Sequence, residues 1–317
     1  GLTNGQVHKW NLMENAHLPF ILSHNGKMLG IKVDPAGQLI VTSAEDGRIK
    51  IWDPGNYELM KEVVVEEDPV TGGDVWQLAF NKDGTLLGTF QNNSPIRAIS
   101  FKLWSWPDVK LLSQYKFPTS VSSTAFSPDG NLVAFSNNES FEFSTYDISK
   151  STVVNVNQDH GDKIFGIKFS QDGKLVATAC LDGYARVYNT STHKEVVAPL
   201  PFGYNFGANV DFSLDSKLLL TRTNLGRDAN NVVMWELSNG KEKYRFEHNS
   251  GIMNHFFSFD GKRVYTCGKD NMAKMWSLEN GDLLGVYKQS EYVLSVEEFP
   301  SDQNKILTVD RTGNARI

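Results

Sequence analysis

The stretch IKFSQDGKLVATACLDGYARVYN (167–189) holds two acidic turns, Asp172-Gly173 and Asp182-Gly183, ten residues apart. Between and beside them, Thr178, Cys180 and Asp182 fall within five residues. A hydroxyl, a thiol and a carboxylate so close together are the ingredients of a nucleophilic site. They are equally the ingredients of a buried hydrogen-bonded turn. Which of the two they are decides both the fold and the function.

The first turn does not stand alone. VDPAG ending at Gly37, FNKDG at Gly84, FSPDG at Gly130 and FSQDG at Gly173 continue as FSLDS at Ser216, FSFDG at Gly261 and FPSDQ at Gln303. Successive spacings are 47, 46, 43, 43, 45 and 42 residues, the mark of an internal repeat. Each turn follows a short run such as VWQLAF (75–80) or IFGIKF (164–169) and precedes a more apolar one such as KLVATA (174–179) or KLLLT (217–221). A run ending in an aromatic residue comes next, then a fourth such as YELMKEVVV (57–65) or GDLLGVY (281–287). All are strand-length and separated by Gly, Asp, Asn and Ser, with no sustained 3.6-residue periodicity. The repeating unit is therefore four short antiparallel strands.

Four-stranded units of this length resemble the blades of WD-repeat β-propellers, and the resemblance covers essentially the whole chain. The dipeptide that names the family occurs literally at Trp52-Asp53 and in degenerate form at Trp10-Asn11, Tyr146-Asp147, Tyr188-Asn189, Trp235-Glu236 and Trp276-Ser277. The second unit departs most: QNNSPIRAISFKLWSW (91–106) stands where a third strand belongs. The expected fold class is all-β, a propeller of four-stranded antiparallel blades, seven in number, spanning 1–317 as one domain. Asn4 and Thr312 occupy equivalent positions 308 residues apart, seven repeats of 44, so both ends fall within a blade. That register suits a seventh blade completed by AHLPFILSH (16–24), or a window from a longer polypeptide with an eighth blade or a tandem array.

A finer pattern lies on the repeat. His24, Thr42, Asp46 and Trp52 are separated by 18, 4 and 6 residues; so are His160, Thr178, Asp182 and Tyr188, and His248, Thr266, Asp270 and Trp276. The spacing matches the structural hydrogen-bond tetrad of WD-repeat families. An ionised Asp in a tight turn can accept several hydrogen bonds, a His can donate to it, and a Thr can relay to the aromatic ring. Three copies on separate blades fit mortar better than an active site, which is needed once. Cys180 then reads as a small buried strand residue. Tyr188 in place of Trp is expected to loosen the middle quartet.

Composition narrows the function further. A net charge of −6 and a pI near 5.7 speak against a dedicated nucleic-acid surface. Two cysteines cannot form a disulfide framework and suit a reducing, intracellular compartment, cytoplasmic or nuclear. No apolar run reaches the length of a membrane span, and no zinc spacing, GxSxG elbow, Walker loop or GxGxxG is present. No catalytic residue, metal or cofactor is expected. The acids Glu66, Glu67 and Asp68 sit in a Pro/Gly-rich connection and read as a solvated tip.

The resemblance implies a rigid ring whose loops bind proteins or peptides on the narrower face. The positions so implied lie just before each first strand (Lys27, Asp74, Ser120, Lys163, Phe206, Gly251, Tyr292) and just before the turn acid (Glu45, Leu181, Lys269, Arg311). Within that set, Lys163, Leu181, Phe206, Lys269, Tyr292 and Arg311 form the expected arc for an acidic or aromatic peptide, because basic and aromatic residues make good anchors. The expected function is a non-catalytic interaction scaffold within a larger protein or multi-subunit complex. The alternatives are a sensor propeller attached to a switch ATPase or other enzyme domain, and a hydrolase or lyase with a site in the central channel. Against the last, first-strand positions carry Leu29, Gly30, Trp76, Ser122, Phe165 and Met253 rather than repeated acids or histidines.

Overall fold

The computed structural model describes residues 6–11, 16–65, 73–93, 98–117, 120–203, 209–222, 230–299, 302–311 and 315–316. Among them there is no helix; every regular element is a strand. Six sheets have four strands, and in each the strands pair in chain order as an antiparallel meander. They run from Met28–Val33 to Leu59–Val64 (blade 1), Asp74–Phe80 to Leu111–Lys116 (blade 2), and Thr124–Phe126 to Thr152–Asn157 (blade 3). Blade 4 runs from Ile164–Phe169 to Leu200–Pro201, blade 5 from Asn209–Phe212 to Lys241–Glu247, and blade 6 from Ile252–Phe257 to Leu283–Lys288. Val293–Phe299, Asp302–Asp310 and Ala315–Arg316 make a three-stranded blade 7, and Gln6–Asn11 pairs with Ala16–Ser23. This is the seven-blade propeller pattern: six complete blades and a partial one. In blade 2 the departing segment resolves into Leu86–Asn93 and Ala98–Ser105. Asn4, Phe206, Thr312 and the acidic 66–68 segment lie outside the described residues.

Burial follows strand position. Second strands such as Leu175–Cys180 and Arg263–Gly268 are buried almost end to end, because both faces of a central strand are covered. Fourth strands such as Leu59–Val64 and Leu283–Lys288 are exposed along nearly their whole length. The chain separates into two compact units, and the boundary runs through blade 3. One holds Gly1–Val121 with Phe126–Val133 and Tyr146–Thr152; the other holds Ser122–Ala125, Ala134–Thr145 and Val153–Ile317. In the first, Val41, Ile49 and Ile51 of blade 1 pack with Val75, Leu78, Leu87 and Trp104 of blade 2. In the second, successive apolar layers fill the spaces between blades 4 and 5, 5 and 6, and 6 and 7.

The recurring turn has a physical cause. In blades 3 to 6 the Ser of the FSxD sequence donates its hydroxyl to the turn Asp, at 2.6, 2.7, 2.7 and 2.5 Å for Ser127, Ser170, Ser213 and Ser258. The same oxygens accept the amides of Leu132, Leu175, Leu218 and Arg263, which open the second strands. One hydroxyl thus satisfies a backbone donor and orients the carboxylate that caps the turn. Asp34 and Asn81 do the corresponding work in blades 1 and 2. The following residue must take φ > 0: Gly130, Gly173 and Gly261 have φ of 78°, 70° and 66°. Ser216 holds that conformation at φ 59° despite its Cβ, with its hydroxyl 3.4 Å from Asp172 of the neighbouring turn.

Candidate functional site

In blades 1 and 6 the four spaced residues form a continuous chain. Trp52 Nε1 donates to Thr42 Oγ1 at 2.8 Å, Thr42 meets His24 Nε2 at 2.8 Å, and His24 Nδ1 lies 2.9 Å from Asp46. Trp276, Thr266, His248 and Asp270 repeat this at 2.8, 2.7 and 3.0 Å. An ionised carboxylate can only accept, so a neutral His donates through Nδ1 and its Nε2 accepts from the Thr hydroxyl, which in turn receives the indole N–H. Only one neutral tautomer satisfies the whole chain. Burial pushes the Asp46 carboxyl up, but the bond from His24 and the amides of Asn25 and Arg48 outweigh it and hold the group below its ordinary value. Asp270 is held down in the same way, against burial, by His248 and the Asn249 amide.

Blade 4 departs from this geometry. His160 Nε2 lies 2.9 Å from Thr178, but Nδ1 has no partner among the described residues, and Tyr188 turns its hydroxyl to Asn157 at 3.4 Å. The cause is one side chain. Opposite the quartet threonine stands Lys50 in blade 1 and Lys274 in blade 6, each reaching out to a backbone carbonyl. In blade 4 that place is taken by Arg186, whose Nη1 lies 2.8 Å from Asp182. The guanidinium takes the carboxylate, and the histidine is left with half its bonds.

Burial, reinforced by Arg186, pushes the His160 pKa down to about 4. Because that folded-state value lies below the unfolded one, the unfolded chain binds the extra proton first. Stability is fully present above about pH 6.5 and is lost as pH falls toward 4, by about 3 kcal/mol. Urea midpoints measured across this range should show the loss, and His160→Gln should flatten it. An unchanged pH profile in the variant would contradict the assignment.

Neighbouring blades carry partial versions with longer spacings. In blade 2, Trp104 Nε1 donates to Thr89 at 3.0 Å, and Gln91, which also binds Ser100, stands in for the histidine at 2.8 Å. In blade 5, Trp235 donates to Thr221 at 2.8 Å. In blade 7, Gln289 Nε2 donates to Thr308 at 2.5 Å. None of these stood out in the sequence, because Thr89–Trp104 and Thr221–Trp235 are 15 and 14 residues apart instead of 10.

The Thr178 and Cys180 side chains are not poised for nucleophilic chemistry. Thr178 and Cys180 are fully buried. The Cys180 thiol donates to the Asp162 carbonyl at 3.0 Å, and burial pushes its pKa up to about 12. A protonated, buried thiol is a poor nucleophile. Among the described residues no cluster of His, Cys, Asp and Glu could hold a metal ion, and no helix is long and apolar enough to cross a membrane.

The loop positions are brought together in pairs. The amide of the residue before the turn acid donates to the carbonyl of the residue before the first strand: Glu45 to Lys27 at 3.0 Å, Leu181 to Lys163 at 2.8 Å, Lys269 to Gly251 at 2.8 Å and Arg311 to Tyr292 at 2.9 Å. Lys163, Lys269, Tyr292 and Arg311 are exposed. The Arg311 guanidinium lies 5.4 Å above the Tyr292 ring, and the Lys269 stem runs 3.7 Å from where a Cβ on Gly251 would stand. Leu181 is only 3% exposed: its side chain joins the core, so only its backbone belongs to the rim. Phe206 is outside the described residues. On the blade 1 and 2 loops the corresponding groups are Lys27, Glu45 and Asp74, and burial together with Glu45 raises the Asp74 pKa against the pull of Lys27.

The family described as WD domain, G-beta repeat, matches residues 17–53, 151–189 and 240–277, the segments that hold the three full-spacing quartets. Relatives are distant. The chain is 21% identical to the angio-associated migratory cell protein of Canis lupus familiaris, over 95% of this chain and 78% of that protein. It is 26% identical to the transcription factor unc-37 of Caenorhabditis elegans, over 79% of this chain and 40% of that protein. It is 20% identical to the apoptotic protease-activating factor 1 of Rattus norvegicus, over 98% of this chain and 23% of that protein.

Proposed function

Since this chain is a WD-repeat propeller, we propose that it is a non-catalytic, intracellular scaffold that holds another protein on its loop rim. The observation that carries this reading is the paired loop geometry of blades 4, 6 and 7. Backbone bonds fix Lys163, Lys269 and the Arg311–Tyr292 stack on exposed loops of a rigid sheet assembly. Three cations and an exposed ring suit an acidic peptide carrying an aromatic residue. Preorganised loops bind without ordering cost, which is what a scaffold supplies. The distant relatives include a transcription factor and, at 23% identity over 54% of this chain, a subunit of eukaryotic translation initiation factor 3 from Debaryomyces hansenii. Both names are those of intracellular regulatory proteins or assemblies.

The test is charge reversal. A chain carrying Lys163→Glu and Lys269→Glu should lose its partners from an extract of the source organism, with affinity at least about tenfold weaker, near 1.4 kcal/mol. Its urea midpoint should not move, because neither ammonium has a buried role. Retention of the same partners at the same strength would overturn the proposal.

A further inference from the structure

Four Asn-Gly pairs occur in the chain, beginning at Asn4, Asn25, Asn239 and Asn280, and the first lies outside the described residues. An Asn followed by Gly can close a cyclic imide, because no Cβ on the second residue hinders its backbone nitrogen from reaching the first residue's side-chain carbonyl. Folding decides which pairs can do so. The ring closes readily only where that nitrogen and that side chain are both free of competing hydrogen bonds.

In two of the pairs both groups are held. Gly240 donates its amide to the Glu236 carbonyl at 2.8 Å, while Asn239 Oδ1 accepts the Lys241 amide at 2.8 Å and Nδ2 donates to Glu236 at 3.0 Å. Gly281 donates its amide to the Ser277 carbonyl at 3.0 Å, and both side-chain atoms of Asn280 bond to Asp282, at 3.2 and 2.5 Å. Asn25-Gly26 is different. Asn25 is exposed, and among the described residues neither its side chain nor the Gly26 amide has a hydrogen-bond partner. What holds the pair is the Asn25 backbone amide, which donates to Asp46 of the blade 1 quartet at 3.0 Å. Asn249, the equivalent residue of blade 6, is also exposed and makes the same bond to Asp270, but Ser250 follows it in place of glycine.

We infer that Asn25 is a site of spontaneous covalent modification, a deamidation through a succinimide with Gly26 that loosens the blade 1 loop from its quartet. The Gly26 nitrogen gives its proton to solvent hydroxide and bonds to Cγ of Asn25. The Cγ–Nδ2 bond then breaks, and the side-chain amide leaves as ammonia after taking a proton from water. Water adds to the ring at either carbonyl and opens it. In sum, Asn and water give ammonia and either Asp or a β-linked isoaspartyl residue, with no oxidant, reductant or cofactor.

Either product works against the loop. A carboxyl at position 25 adds negative charge to a residue whose backbone is bonded to the Asp46 carboxylate. The β-linkage inserts an extra backbone carbon between two fixed points. One is the His24 ring, bonded to Thr42 and Asp46; the other is the Lys27 carbonyl, which accepts the Glu45 amide at 3.0 Å. The loop has little room to absorb that carbon, since even a Cβ on Gly26 would stand 3.2 Å from the Asp46 nitrogen and from Glu45 Cβ. The Asn25 amide is therefore carried away from Asp46, and the quartet carboxylate loses an N–H donor.

Lys163 and Lys269 take no part in this chemistry, so the modification and the scaffold reading stand or fall separately. The experiment ages the whole chain in mildly alkaline buffer made with heavy-oxygen water, folded and separately in urea, and follows its peptides by mass spectrometry. Isoaspartyl groups are counted with an isoaspartyl methyltransferase and labelled S-adenosylmethionine. In the folded chain the Asn25 peptide should gain heavy oxygen and isoaspartate, with the Asn239, Asn280 and Asn249 peptides at least about tenfold slower. In urea Asn239 and Asn280 should catch up with Asn25, because their protecting bonds are gone, while Asn249 still lags behind its serine. The aged chain should unfold at a lower urea concentration. Asn25→Gln, whose longer side chain closes the ring poorly, should age without either change at this site. Equal rates at Asn25 and Asn280 in the folded chain, an aspartyl product free of isoaspartate, or an aged chain with an unmoved urea midpoint would each overturn the proposal.

Discussion

Thr266→Val should lower the stability of the second compact unit by about 3 kcal/mol, whereas Thr178→Val should cost about half as much. The valine is close in shape, so the loss is almost wholly one of hydrogen bonds. In blade 6 the Thr266 hydroxyl both receives the Trp276 indole N–H and meets His248. Removing it leaves two buried polar groups without partners, each worth about 1–3 kcal/mol. In blade 4 the Thr178 hydroxyl serves His160, while Tyr188 looks elsewhere, so one orphan results instead of two. Urea denaturation of both variants reads the difference. Because the chain has two compact units, amide exchange at Cys267 and Cys180 should accompany it, to place each loss in its own blade. Equal costs at the two positions would mean that the Trp-to-Tyr exchange has no energetic consequence.

The second large effect is expected at Glu298. This carboxylate is buried between blades 6 and 7, where it accepts the Phe259 amide at 2.6 Å and the Tyr265 hydroxyl at 3.3 Å and lies 3.3 Å from Arg263. Arg263 also holds Asp260 of the blade 6 turn at 3.0 Å. One side chain therefore ties the turn of one blade to the first strand of the next. Glu298→Leu should cost about 3 kcal/mol, because it leaves the Phe259 amide and the Tyr265 hydroxyl without their acceptor, while Arg263 keeps Asp260. Glu298→Gln keeps an acceptor for the amide and should cost about half of that. The phenol gives an independent readout. Burial and then the Glu298 charge push the Tyr265 pKa up to about 12, so removing the charge in Glu298→Gln should bring the phenolate titration to lower pH. A Tyr265 titration that does not move would show that the carboxylate is not its neighbour in solution.

Much of this was legible from spacing alone, for a definite reason. The 18, 4 and 6 separations survive wherever the loop between the second and third strands keeps its length, as around Thr42, Thr178 and Thr266. Where that loop lengthens, as after Thr89 and Thr221, the same indole-to-hydroxyl bond forms but no fixed spacing announces it. The looseness expected from Tyr188 is present, yet its larger cause, the capture of Asp182 by Arg186, depends on which residue stands across the strand from Thr178. A single sequence shows neighbours along the chain, not across a sheet. The same limit applies to Leu181, whose register places it on the rim while its side chain points inward. The bond from Arg222 to the Met253 carbonyl was hidden for the related reason that the two lie 31 residues apart on different blades.

The serine-capped turns carry an implication for how such a chain could have arisen. Each closes its hydrogen bonds within six consecutive residues, from Ser127 to Leu132, Ser170 to Leu175, Ser213 to Leu218 and Ser258 to Arg263. The serine hydroxyl, the turn carboxylate or carbonyl it meets and the amide it accepts all come from one repeat, while bonds such as Phe259 to Glu298 are added from the next blade. A duplicated gene segment encoding one blade would therefore bring its serine-capped turn with it, and selection could act on the copied loops at once. Divergence would be freest where this loop is not involved, as at Arg186 of blade 4 and Arg222 of blade 5.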